Sequence, residues 1–266
     1  MKNSLKWDVF GTYTRNKNNV ESIADGSDQI ILGGFSGMSI VAAKGKPFGT
    51  FYGIDLAKDA NGRVIIDSAT GNPRSTTKPV YFGSYQPKFI ASFGTGFSFK
   101  GLTLSVLFDT KQGGLFYSRT KDNLEFVGTS ASTVINGTRD PFVFENSSYL
   151  AYDGIYKTNT DIKTDVYTYF TSANIKPVSQ DLIDASYTKL REVSLSYPLP
   201  ASLLEKTKLG NVVFGVFGTN LKIWTPKANG FVDPESNAGG SGNEQGFDFL
   251  SRPTMRNLGV RLNVTF

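Results

Sequence analysis

The chain contains no cysteine and no histidine among its 266 residues. Thiol nucleophiles, Cys or His zinc centres and Ser-His-Asp triads are excluded with them. A lack of cysteine also suits an oxidising compartment, where a stray thiol is a liability. No apolar run approaches the roughly 18 residues of a membrane helix, so a helical membrane protein is not expected. Charge of one sign is missing as well: 28 basic and 23 acidic residues leave +5. The Lys and Arg residues are scattered, without the patch or arm that a nucleic-acid binder needs. The opening Met1-Lys2-Asn3-Ser4-Leu5-Lys6-Trp7 has basic residues but no apolar stretch behind them, so it is not a secretory leader. For an exported chain this predicts a piece of something longer.

What is abundant is the material of strands and turns: 21 Phe, 12 Tyr and 28 Gly, with Ser, Thr and Asn between them. The last ten residues alternate without an error. Because successive strand residues point to opposite faces, Leu258, Val260, Leu262, Val264 and Phe266 form one apolar stripe. Asn257, Gly259, Arg261, Asn263 and Thr265 form a polar one. About ten such residues are what a tilted strand needs to cross a bilayer. The apolar stripe is therefore predicted to face lipid.

Further strands are predicted at 5–14, 38–43, 187–197 and 212–223, and a hairpin at 88–99 and 102–109 closes over Lys100-Gly101. Leu5, Trp7, Val9 and Tyr13 share a face, with Phe10 as the exception. Along 187–197 the phase is clean only from Val193 to Tyr197. On 212–223, Phe217, Leu221 and Ile223 are expected to face one way and Gly218, Asn220 and Lys222 the other. The run Gln29–Leu32 has no clear place, and 198–209 holds one helical turn. The count is about seven strands, an odd number, whereas bacterial single-chain barrels are even. The turn at 100–101 and the link 198–209 are short, while 45–87, 110–186 and 225–253 are long. Long connections are abnormal in a compact soluble domain but expected on the outer side of an outer-membrane barrel.

Several segments carry a resemblance. Ala185-Ser186-Tyr187-Thr188-Lys189-Leu190-Arg191-Glu192-Val193-Ser194-Leu195-Ser196-Tyr197, followed by Pro198-Leu199-Pro200, resembles the "ASYxxLxxVxLxYxLP" strand of SusC/RagA-type TonB-dependent outer-membrane transporters. Val216-Phe217-Gly218-Thr219-Asn220-Leu221 is similar to the next strand, "VxGxNL", and Gly230-Phe231-Val232-Asp233-Pro234-Glu235 to the "GxDPE" loop. Arg252-Pro253-Thr254-Met255-Arg256 with the terminal strand resembles the closing segment, and Gly45-Lys46-Pro47-Phe48-Gly49-Thr50-Phe51-Tyr52-Gly53 the "GxPxGxxYGY" segment. The matches fall in order from residue 45 to the end.

The resemblance implies an all-β fold: an antiparallel transmembrane β-barrel segment, the last strands of a 22-stranded barrel with long extracellular loops. Residues 1–266 would be its carboxy-terminal part, without plug or amino-terminal domains. It implies uptake of an oligosaccharide or peptide across the Gram-negative outer membrane, not an enzyme. The implied partners are a SusD-like surface lipoprotein, the TonB complex, membrane lipid and the barrel-assembly machinery, which would read the terminal strand. No cofactor, metal or nucleic acid is implied. The alternatives are a soluble extracellular carbohydrate-binding β-sandwich and a complete small barrel.

Smaller motifs weigh less. Asp59-Ala60-Asn61-Gly62-Arg63 could begin a calcium loop. It lacks the D-x-[DN]-x-[DN]-G order and the distal Glu, so an Asn-Gly turn is the better reading. Tyr149, Tyr152, Tyr156, Phe231, Phe247 and Phe249 lie in the long links and are the candidates for ligand contact. Trp7 and Trp224, at strand ends, suit an interfacial belt. Asp181, Asp184 and Glu192 invite a paired-carboxylate reading, but nothing in the sequence fixes their separation. The sequons at Asn136 and Asn146 are chance.

Overall fold

Six strands lie side by side in sequence order: β1 (Lys6–Thr14), β2 (Phe89–Phe99), β3 (Leu102–Gln112), β4 (Tyr187–Pro198), β5 (Asn211–Trp224) and β6 (Asn257–Thr265). The computed structural model describes residues 5–266 apart from Ser36, Ala173, Lys206, Phe231 and Pro253. Every pairing in this sheet is antiparallel. The expected hairpin is present, with Lys100 and Gly101 at φ of 49° and 88°. Two successive positive φ values are the backbone of the type I′ turn, whose twist matches that of paired strands.

The register assembles one continuous apolar face. Trp7 opposes Phe97, which opposes Leu104, which opposes Leu195, which opposes Val216, which opposes Val260. One row along, Leu262 opposes Phe214, and Phe214 opposes Tyr197. The terminal stripe is open: Leu258 is 82% exposed and Val260 74%. A β-sandwich would bury such a face beneath a second sheet; here the described residues leave it bare.

The opposite face is mainly polar, and two of its bulky apolar exceptions lie over glycines. Phe10 lies over Gly94, where an added Cβ would sit 2.1 Å from its ring. Phe217 lies over Gly259 in the same way, at 2.6 Å. Phe217 is thus on the polar side, and the apolar face of β5 is made by Val212, Phe214 and Val216, opposite Val264, Leu262 and Val260. The expected common face of Phe217 and Leu221 is split: Leu221 lies beside Leu258 on the apolar side. An irregularity explains both this and the broken phase of β4: the register of β4 shifts between Leu190 and Glu192 against both neighbours. Opposite it, Asn220 adopts a φ of 53°.

The 38–43 segment is a strand but not part of this sheet. Met38–Ala43 pairs with Gln29–Phe35 and Thr50–Gly53, and Val80–Ser84 completes a separate four-stranded sheet. Among the described residues this sheet therefore has six strands rather than about seven, and the unplaced Gln29–Leu32 run is part of a strand of the second sheet. The connections now alternate strictly. Two short ones, 100–101 and 199–210, lie at the end where Asn211 pairs with Thr265. Three long ones, 15–88, 113–186 and 225–256, lie at the other end. The expected helical turn is Ala201–Leu204.

Those three links fold into one cap. Its core joins Met38, Ile40 and Phe51 of the first link to Tyr117 of the second and Phe247 of the third. Burial of so many large side chains is the main stabilising term available. Strand pairing reinforces it: Ser147–Leu150 runs parallel to Val64–Ile66, and Phe247–Asp248 runs parallel to Leu115–Ser118. Two helices were not foreseen, α1 (Arg119–Phe126) and α2 (Val166–Thr171). The Ser118 hydroxyl caps α1 by accepting from the Lys121 amide. Asp248, from the third link, accepts from the Thr120 amide at 3.0 Å.

Candidate functional site

Four of the resembling motifs meet in space. Tyr187 and Lys189 alternate along β4 and share a face, with Arg191 at the irregularity two residues on. All three converge on the acidic pair of the third link. Lys189 Nζ is 2.6 Å from Asp233 Oδ2 and also binds Glu235. The Tyr187 hydroxyl donates to Glu235 Oε1 at 2.7 Å. Arg191 binds Glu235 too, and clamps Asp109 of β3 through Nε at 2.7 Å and Nη2 at 2.9 Å. Its Nη1 donates to Asn220 Oδ1 at 3.3 Å. Thr254 donates to Asp233.

Such a charge-assisted network is far stronger than an exposed pair and fixes geometry. Burial pushes the Glu235 carboxyl up, but hydrogen bonds from Arg191, Lys189 and Tyr187 outweigh it and hold the group at about 2. The sequence comparison had marked these segments without assigning their charges a role. The alternating Tyr187, Lys189 and Arg191 were the available signal.

The candidate aromatics separate. Phe247 is in the cap core, 1% exposed, with its ring 5.5 Å from Phe51 and 5.7 Å from Tyr117. Burial gives it a packing role and removes it from a ligand-facing surface. Phe249 is half exposed, packs edge-on to Phe35 at 5.7 Å, and lines a cleft of about 640 Å³. Tyr149, Tyr152 and Tyr156 lie on the hairpin Ser147–Leu150 and Tyr156–Thr158. Tyr152 projects fully into solvent at its tip, Tyr156 is exposed and Tyr149 half-buried. Phe231 lies outside the described residues. A second cleft, of about 610 Å³, opens where β1 and β2 leave the sheet, between Arg15, Lys17, Lys88 and Asp184.

The remaining motifs take structural roles. Asp59 accepts from the Asn61 amide, from Arg63 Nε at 2.8 Å and from the Ser148 hydroxyl at 2.8 Å. This is a turn whose carboxylate is already occupied, with Gly62 at a φ of 76°. Asp181 is buried against Lys176 at 2.6 Å and Lys121 at 3.0 Å, with Glu125 in the same cluster. Asp184 instead caps the Ser186 amide at 2.8 Å, and Glu192 sits in the wall opposite Leu107. The three acids are not brought together as a pair of catalytic carboxylates. Asn136 and Asn146 hold positive φ of 53° and 47°, which is turn chemistry.

Sheet, cap and network together describe an antiparallel sheet with one bare apolar face and a folded end-piece at one end. The chain is 25% identical, over 98% of its length, to TonB-dependent receptor P3 of Formosa agariphila. It is 30% identical, over 78% of its length, to TonB-dependent receptor P26 of the same organism. It spans 27% and 19% of those two relatives. The RagAB peptide importer in its open-open state superposes with a TM-score of 0.62 at 18% identity, over 98% of this chain and 27% of that one. The closed-closed state gives 0.57 at 19% identity, over 96% and 27%. No family model matches the chain. The resemblance to TonB-dependent receptors thus holds along nearly the whole chain in sequence, and the RagAB importer shares the fold.

Proposed function

We propose that this chain forms six wall strands and the cap of a TonB-dependent outer-membrane transporter, and that the cap takes part in nutrient capture. The observation carrying this reading is the coincidence of one uninterrupted apolar face with three long links gathered at a single end. A barrel in lipid needs the first, and capture from outside needs the second. In this reading the apolar face, ending in Leu258, Val260, Leu262, Val264 and Phe266, meets lipid. The strands of a larger, closed barrel flank β1 and β6. The cap faces outward, where a SusD-like lipoprotein would act as a lid and the TonB complex would supply energy from within. The final strand would be the element read by the barrel-assembly machinery. The cargo is an oligosaccharide or a peptide, and the reading assigns no covalent step.

The test is uptake. Labelled oligosaccharide and peptide mixtures are supplied to cells with and without the gene carrying this chain, in TonB-competent and TonB-deficient backgrounds. Gene- and TonB-dependent accumulation of one mixture is expected. Accumulation that ignores both would reject the proposal.

A further inference from the structure

The 640 Å³ cleft of the cap has apolar sides made by Phe35, Ile54, Val178 and Phe249, with Ser75, Asn174 and Arg119 as polar lining. Arg119 is the one charged group among the described lining residues, and no carboxylate faces it from the cleft. Its side chain is 44% exposed. Asp122, three residues on in α1, holds part of the guanidinium. A guanidinium carries five donors in a rigid fork, so an open edge remains.

The aromatic wall is backed by Tyr117, which is fully buried. The ring stands 4.9 Å from Phe35 and 6.5 Å from Phe249, the two aromatics of the cleft wall.

We propose that this cleft binds the carboxylate of an apolar or ring-bearing ligand. Arg119 grips the carboxylate through the open edge of its fork, and Phe249 and Phe35 receive the body. Arg–carboxylate pairing is directional and charge-assisted, and a ligand carboxylate would occupy the guanidinium edge that Asp122 leaves open. The inference rests on the transport reading and narrows its substrate class. Two carriers present this chemistry: a peptide with a free carboxy terminus and a uronate-bearing oligosaccharide.

The experiment is calorimetric titration of the full-length transporter containing this chain with two matched pairs of probes. One pair is the tripeptide Ala-Leu-Phe and its carboxamide; the other is a glucuronate-containing trisaccharide and its carboxyl-reduced, neutral counterpart. In one pair the acid should bind at least tenfold more tightly than its neutral twin, which identifies the carrier. Arg119→Gln should erase that preference, and Arg119→Lys should keep part of it. On the unsubstituted protein, added salt should weaken the acid and spare the twin, a readout that does not depend on any variant folding. Equal binding within both pairs, no binding of either acid, or an unchanged preference in Arg119→Gln would overturn the inference. TonB-dependent uptake of acid and neutral twins alike would overturn it while leaving the transport reading intact; absence of all such uptake removes that reading instead.

Discussion

Lys189 Nζ lies 2.6 Å from Asp233 Oδ2, joining a wall strand to a link 44 residues further along. Both side chains are almost sealed from solvent, at 2% and 7% exposure. Removing one partner of a buried pair strands the other charge and typically costs about 3–5 kcal/mol. Lys189→Met should therefore release the third link from the wall. Trypsin cleavage after Lys227 in the folded, full-length protein measures this. Unchanged resistance would mean that the link is held by something else.

The acid sensitivity of the same contact follows from Glu235. Its carboxyl lies at about 2 when folded, against an ordinary value of 4.5. A depressed value means that the ionised form is favoured by folding, so the contribution is complete above 4.5 and fades as pH falls towards 2. Amide exchange in 233–237 should stay slow from pH 8 down to 5, once corrected for intrinsic rates. Protection should then weaken between 4.5 and 2. Loss of protection near neutrality would contradict the assignment.

The facing of the last strand can be tested by paired substitutions in a bilayer. Leu262→Arg should cost about 2–4 kcal/mol and Asn263→Arg about 0–1 kcal/mol, the ranges for a cation near the midplane on the lipid side and for a tolerated site. Gly259→Leu adds a third point. Its Cβ would meet the Phe217 ring at 2.6 Å, and overpacking of this kind typically costs about 1–3 kcal/mol. Unfolding titrations from lipid vesicles report all three. Equal tolerance of Arg at 262 and 263 would reverse the two faces.

Phe247→Ala should destabilise the cap by about 3–5 kcal/mol, as expected for a large side chain deleted from a packed core. Tyr152→Ala, at an exposed tip, should stay within about 0.5 kcal/mol. Limited proteolysis of the three links separates the two. Cleavage appearing in only one link of Phe247→Ala would mean that the shared core does not couple them.

The wall was legible because a strand bearing one apolar face writes a period of two directly into its residues. Leu258 to Phe266 and the 89–112 hairpin read correctly for that reason. Phase was lost only around Arg191 and Asn220, where an irregularity inserts residues without any local marker in the sequence. Met38–Ala43 misled because a fully buried strand of small apolar residues has no alternation to separate wall from cap. The cap itself was hidden. Met38, Phe51, Tyr117 and Phe247 come from three separated links, so no window of sequence contains its core. α1 escaped because its sequence, RTKDNLEF, is polar and its one buried residue is Glu125. The charges of the Asp233-Pro234-Glu235 loop were seen as a motif, but their partners lie about 45 residues away along the chain.

Because Met38, Phe51, Tyr117 and Phe247 interlock contributions from all three links, those links cannot be exchanged one at a time. A chimera built by transplanting a single loop from a related receptor would inherit one third of a jigsaw. New specificity should instead be grafted as a complete end-piece, or introduced at peripheral tips such as the Tyr152 turn, where no neighbour is disturbed.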